Sequence, residues 1–273
     1  MTPDRSVDAL VAIETFHVRL LLALSGQADG MLYLKGGVNL RLFYDSVRYS
    51  EDMDFDADPR IGDRLRRRVP FLILSPSFQA PLRVLGLRGV EMDTSPQKAT
   101  ATTLRFKMGL DLGGGVLEPT KVEFSFRAAA PPQPAVASEP ASSVVARYVP
   151  VGTDWTRVLR YPQPSAIWQK LRALARRTEV QARDVFDLHH LMQPRFGGVP
   201  VDLLRQSLAN DILDEALSRT YDVDPAQFAE KVVRYLPVES RDRLLAEWDN
   251  MRECVAGHIQ TIRDWSPDHP AAE

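Results

Sequence analysis

Asp52-Met53-Asp54-Phe55-Asp56 alternates acids with large apolar side chains. On an extended chain successive side chains point to opposite faces, so Met53 and Phe55 enter a core while the acids share the other face. Carboxylates placed this way repel each other unless a cation lies between them. A divalent ion such as Mg²⁺ suits that place, because it takes carboxylate oxygens together with substrate phosphate oxygens. A solvated edge strand with acidic decoration is the competing reading of the pair taken alone. The balance is tipped by Lys35-Gly36-Gly37, a short way upstream. A strand that ends in two glycines and opens a helix presents backbone N–H groups to an anion, with no Cβ to keep a phosphate away.

Lys121-Val122-Glu123-Phe124-Ser125-Phe126 repeats the alternation. Val122, Phe124 and Phe126 face a core, and Glu123 is expected on the other face. On a neighbouring strand it completes a three-carboxylate metal cage with Asp52 and Asp54. Such a cage can activate a nucleophile and neutralise a leaving pyrophosphate. An amphipathic strand with an exposed Lys and Glu is the bland alternative.

A third group lies further on. In Ser165-Ala-Ile-Trp168-Gln-Lys170-Leu-Arg172-Ala-Leu-Ala-Arg176-Arg177, helical spacing puts Lys170, Leu174 and Arg177 on one side and Arg172 and Arg176 on another. Lys170 can meet a triphosphate as a point charge. Asp184 and Asp187 follow about one turn apart, and either can orient Lys170 or an arginine. A salt-bridged helical hairpin satisfies the same pattern.

These groups need elements to hold them. Helical periodicity runs from about Ser6 to Leu24, with Gly26 as a stop. A strand is expected at Met31–Leu34, a short helix over Val38–Tyr44 and a mostly helical stretch over Arg60–Phe78 broken at Pro70. Strands follow at Arg88–Asp93, Thr102–Asp111 and Thr120–Phe126, the last two joined as a hairpin by Gly113-Gly114-Gly115. Ala128–Ser143, rich in Ala, Pro and Ser, reads as a linker. Beyond it Ser165 caps a helix to about Arg177, and helices are expected over Val180–Met192, Val201–Ala209, Pro225–Leu236 and Glu239–Arg263. The fold class is therefore α+β: a mixed sheet with helices in the N-terminal half, then an all-helical C-terminal half. The expected division is residues 1–130, a linker at 131–150, and a helical domain at 151–273.

Global composition is ordinary. Over 273 residues, 44% hydrophobic and 26% charged residues give a globular balance with a net charge of −2. Any nucleic-acid contact must then come from local basic patches. The runs Arg64-Leu-Arg66-Arg67-Arg68 and Arg172, Arg176 and Arg177 are the candidates for RNA backbone contact, with ordinary solvated helix faces as the alternative. A single cysteine, Cys254, allows no internal disulfide. No stretch approaches the ~20 apolar residues that span a bilayer. The expectation is a soluble, cytoplasmic protein with no membrane partner.

Taken in order, Lys-Gly-Gly-x-x-Leu-Arg, Arg48-Tyr-Ser50-x-Asp52-x-Asp54, Lys-Val-Glu, and Lys-Leu-x-Ala-Leu with a later Arg-Asp-x-x-Asp-Leu resemble the AbiEii family. These are nucleotidyltransferase-like toxins of abortive-infection and toxin–antitoxin systems, among them the MenT toxins of mycobacteria. The resemblance runs from Lys35 to Leu188, roughly half the chain.

It implies a nucleotidyltransferase fold with Gly36 and Gly37 in the phosphate turn and Ser50 helping to hold phosphate. Asp52 and Asp54 would be the metal pair and Glu123 the third carboxylate. Lys170 would bind the triphosphate, and Asp184, which directly follows Arg183, would be the late acid, with Asp187 left as the other choice. Lys35, Lys121 and Asp187 are expected among the nucleotide contacts. The chain has Gly-Gly where many nucleotidyltransferases have Gly-Ser, which removes a hydroxyl from the turn.

The implied activity moves nucleotides from a nucleoside triphosphate to the 3′ acceptor end of tRNA. It would need Mg²⁺ or Mn²⁺, would block aminoacylation, and would be checked by a cognate antitoxin. A transferase acting on a small molecule or a protein, and a non-catalytic binding module on the same fold, are the alternatives.

Overall fold

The computed structural model describes residues 7–115, 117–127, 131–150 and 152–267. The chain packs as two compact units. One comprises Met1–Ala129 and Ala135–Tyr161, the other Ala130–Pro134 and Pro162–Glu273.

The first unit is built on a mixed eight-stranded sheet. Its elements, in chain order, are α1 (Val7–Ser25), β1 (Leu32–Lys35), α2 (Gly36–Phe43), β2 (Asp52–Ala57), α3 (Gly62–Leu74), α4 (Pro76–Val84), β3 (Gly89–Met92), β4 (Lys98–Thr100), β5 (Thr103–Asp111), β6 (Leu117–Ser125), β7 (Val136–Ala137), α5 (Ser142–Val145) and β8 (Leu159–Arg160). The strand order is β3-β5-β6-β2-β1-β8-β7, with β4 on the edge of β5. β2 lies between β1, its antiparallel neighbour, and β6, its parallel one.

The alternation read from the sequence decides what this sheet buries. Met53 and Phe55 of β2, Val122 and Phe124 of β6, and Leu104, Phe106, Met108 and Leu110 of β5 are all buried in one core with α1 and α3. Phe55 and Phe124, cross-strand partners, stack with centroids 5.5 Å apart. An aromatic pair of this kind adds ~1 kcal/mol beyond the area it buries. The opposite face of β2 and β6 is thereby left to the charged side chains.

The second unit is helical: α6 (Gln163–Arg176), α7 (Ala182–Leu191), α8 (Val201–Ser207), α9 (Asn210–Thr220), α10 (Pro225–Lys231), α11 (Val238–Ala246) and α12 (Trp248–Asp264). Its core centres on Phe228, stacked on Trp248 at 4.2 Å and tilted against Phe186.

The α+β class, the helical C-terminal part and the hairpin of β5 and β6 are as the sequence predicts. Several boundaries differ. α3 runs through Pro70 and stops at Ser75, whose hydroxyl caps α4 by accepting from Phe78 N at 3.3 Å, with Pro76 at the first helical position. Ser165 does not cap a helix. α6 begins three residues earlier than that cap implies, after Pro162, and the buried Ser165 hydroxyl donates to Gln133 O at 2.7 Å. The long helix expected over Glu239–Arg263 breaks at Glu247 into α11 and α12. Residues 135–161, read from composition as linker and the start of a helical half, supply β7 and β8 to the sheet.

Candidate active site

β2 carries three acids on one face, and its register sets their partners. Asp54 lies opposite Lys35 on β1 and Glu123 on β6, and Asp52 lies opposite Lys121. Glu123 in turn lies opposite Arg105 on β5. The result is a lattice of alternating charge. Lys121 Nζ is 2.5 Å from Asp52 Oδ2, and Arg105 Nε donates to Glu123 Oε2 at 2.6 Å. Lys35 pairs with Asp56, which also accepts from the Tyr161 hydroxyl at 3.0 Å. Asp54 is the exception, with no ion pair among the described residues.

Burial raises the Asp52 carboxyl above its ordinary value. The Lys121 ammonium opposes that shift, while the Asp54 and Glu51 charges add to it. The Asp52–Asp54 repulsion expected from the spacing is therefore present, and only one of the two acids is neutralised by a neighbour. Burial, with the Asp56 charge behind it, raises the Tyr161 hydroxyl well above its usual range, so Tyr161 stays a proton donor to Asp56.

The Gly-Gly turn sits directly against this pair. Gly36 has φ +70°, and a Cβ there would lie 3.1 Å from Asp54 Oδ2. A Cβ on Gly37 would lie 2.5 Å from Ser50 Oγ and 3.1 Å from Arg48 Nη2. Both glycines are required, the first by its backbone and the second by its neighbours. Lys35, at the N-cap of α2, makes no side-chain capping bond, so no side chain of its own satisfies that helix start. Ser50 Oγ donates to Asp52 O at 2.8 Å and ties the loop before β2 to the strand.

A buried relay holds the same strand end from behind. His17 Nε2 is 2.9 Å from Thr120 Oγ1, and Thr120 Oγ1 donates to Glu51 O at 2.7 Å. With its proton given to Glu51, the Thr120 hydroxyl can only accept, so His17 is the neutral Nε2–H tautomer. Burial pushes His17 down to about 3, in agreement. Arg41 on α2 is clamped by Glu14, by Ser46 O at 2.7 Å and by the ring of Tyr49 at 4.4 Å.

Among the described residues no three acidic, His or Cys side chains converge on one point. The expected three-carboxylate cage is therefore not assembled here, because Glu123 turns to Arg105. Asp52 and Asp54 alone, hard oxygen donors beside an open helix start, fit an ion such as Mg²⁺ that fills its remaining positions with phosphate and water. Asp56, which sequence reasoning placed on this face but gave no role, proves to anchor Lys35 and Tyr161. Its continuation of the Asp-x-Asp alternation was the signal.

In the helical unit, Lys170 Nζ is 2.9 Å from Asp184 Oδ1 and 2.6 Å from Asp187 Oδ2. Both carboxylates are wholly buried, and Lys170 is 9% exposed. Arg177 Nε adds a contact to Asp184 Oδ2 at 2.8 Å. Both aspartates, rather than one, orient the lysine.

The arginine candidates divide sharply. Arg64 pairs with Asp29, Arg176 with Asp211 and Arg177 with Asp184, and Arg172 lies over Trp168 at 4.6 Å. Arg66, Arg67 and Arg68 are exposed and form no ion pair among the described residues.

The fold is shared with solved structures. MenT4, a nucleotidyltransferase toxin from Mycobacterium tuberculosis H37Rv, aligns over 96% of this chain and 87% of its own, with a TM-score of 0.60 and 17% identity. JHP933 from Helicobacter pylori aligns over 94% of this chain and 93% of its own, with a TM-score of 0.51 and 17% identity. At such identities the likeness is one of fold. No curated protein matches the sequence. The family model described as nucleotidyl transferase AbiEii toxin, Type IV TA system, matches residues 19–268, and by that match the chain belongs to the AbiEii nucleotidyltransferase toxin family.

Proposed function

We propose that the chain transfers a nucleotide from a nucleoside triphosphate to the 3′ acceptor end of tRNA, with Mg²⁺ or Mn²⁺ held by Asp52 and Asp54. The observation that carries this reading is the contact between the Gly36–Gly37 turn and the Asp54 carboxylate, 3.1 Å from where a Cβ of Gly36 would stand. A phosphate on the open N-terminus of α2 thus lies beside the acid pair.

Gly36, Gly37 and Ser50 cradle the triphosphate, and Asp52 and Asp54 supply metal oxygens. Glu123 is the third acid of the face. A bound divalent ion would neutralise charge on the reacting phosphate and on the departing pyrophosphate. The RNA 3′-hydroxyl gives up its proton to solvent as its oxygen bonds to the α-phosphorus, the bond from that phosphorus to the bridging oxygen breaks, and pyrophosphate leaves. The protein contributes mainly placement and charge. Lys121, Lys35 and Arg105, now paired with the acids, are the cations of this face that can turn to phosphate oxygens. In the helical unit Lys170 is held between Asp184 and Asp187. Membership of a type IV toxin–antitoxin family supports a cognate antitoxin as partner. Among the described residues no helix is long and apolar enough to cross a membrane.

The test is incubation of the protein with Mg²⁺, each α-labelled nucleoside triphosphate in turn, and total tRNA. Label entering tRNA at its 3′ end supports the reading. Label entering a protein or small molecule instead replaces tRNA with that acceptor, and no transfer to any acceptor overturns the enzyme reading.

A further inference from the structure

α3 follows the acid-bearing strand β2 after a 3-10 turn, Pro59–Ile61. Its inner side is ordinary core: Leu65, Val69 and Ile73 are buried. Its outer side is not ordinary. Phe71 is 77% exposed, the most exposed aromatic side chain among the described residues. Arg67 and Arg68 precede it by four and three residues, so both stand one helical turn away on the same side.

Two features set this surface apart. The first is charge availability. The other arginines considered for RNA are engaged within the chain, whereas Arg66, Arg67 and Arg68 are exposed without an ion pair among the described residues. The second is the ring itself. A large aromatic left in water costs free energy, and nothing in its own unit covers it. A protein groove would be satisfied by any apolar side chain at this position. A flat ring beside unpaired guanidinium groups matches instead an unpaired nucleotide, whose base stacks on the ring while its phosphates meet the arginines.

We propose that Phe71 is a base-stacking residue for single-stranded RNA, with Arg67 and Arg68 holding the flanking phosphates. The inference rests on the RNA reading above; α3 covers the core side of the sheet and the acids lie on its other face, so Phe71 takes an unpaired stretch of the RNA away from the reacting 3′ end. It assigns the RNA contact to α3 rather than to the arginines of α6.

The test uses the full chain without triphosphate, so that binding is separated from transfer. A fluorescein-labelled single-stranded RNA carrying a tRNA acceptor end is titrated in anisotropy over a range of salt. Phe71→Ala and Phe71→Leu should each weaken binding roughly tenfold, the size of one lost base stack. Phe71→Trp should bind as the native chain does, and its added indole emission should be quenched by RNA. Arg67→Ala should lower the slope of log affinity against log salt by about 0.7, one single-strand phosphate. Equal RNA affinity of Phe71→Ala, Phe71→Leu and the native chain overturns the inference while leaving tRNA transfer standing. Native chain that binds no RNA overturns both. Variants that keep RNA binding but lose an acidic or apolar protein partner would make α3 a protein-docking surface and also overturn the proposal.

Discussion

Gly37 and Ser50 occupy one another's space: a Cβ on Gly37 would stand 2.5 Å from the Ser50 hydroxyl oxygen. The turn therefore cannot carry the serine that many nucleotidyltransferases have at its second position. The hydroxyl of Ser50, from the loop before β2, stands at the place such a side chain would fill. Gly37→Ala should cost about 1–3 kcal/mol as overpacking. Ser50→Gly should recover most of that in the double variant. Urea unfolding of the four proteins of this cycle gives the coupling directly, and additive losses would show that the two residues do not compete.

Lys170 lies between two fully buried carboxylates, and its loss should be felt in stability before it is felt in catalysis. Lys170→Ala leaves Asp184 and Asp187 buried without their shared cation, and should destabilise the chain by roughly 3–5 kcal/mol. Denaturant midpoints at pH 7 check this. An unchanged midpoint together with a raised KM for triphosphate would assign Lys170 to the substrate alone.

His17 makes stability pH-dependent. Its folded value of about 3 lies below the ordinary 6.5, so between those limits the unfolded chain binds a proton that the folded chain does not. Stability then rises with pH across that window and is lost as pH falls through it, by at most about 1.4 kcal/mol per pH unit from this group. His17→Gln keeps an N–H donor for Thr120 but does not titrate. Its unfolding free energy should fall less steeply than the native between pH 6.5 and 4, and parallel profiles would remove His17 as the cause.

Asp52 and Asp54 repel one another until a cation joins them. Asp54→Ala should therefore leave the apoprotein as stable as the native or slightly more so. Millimolar Mg²⁺ should raise the native Tm and leave that of Asp54→Ala unmoved, because a ligand stabilises only the state that binds it. Equal shifts would place the metal elsewhere.

What the sequence revealed and what it hid follow from the range of the interactions. The period-2 alternation of β2 and β6 shows in one dimension and fixes which face each side chain takes, while the register that sets Asp54 against Glu123 is seen only in the structure. The Gly-Gly turn is legible because backbone geometry demands it. Partner choice is not legible. Nothing local says that Glu123 turns to Arg105, that Asp56 holds Lys35, or that Lys170 is buried with both aspartates. The two-residue strands β7 and β8 carry too few side chains to set a period, so a Pro-rich stretch read as linker joins the sheet. Pro70 misled as a breaker, while Ser75-Pro76, a cap followed by a first-turn proline, marked the true boundary. Phe71 went unremarked because exposure is a property of packing, not of residue type.

In the proposed reaction Asp52 and Asp54 drive nucleotide transfer, which is read from the initial rate of label incorporation into tRNA from the best α-labelled triphosphate, for the native chain and for Asp54→Asn with a matching unfolding curve. A fall of at least a hundredfold in the folded Asp54→Asn protein is the predicted result. Transfer at the native rate by that variant would contradict the account.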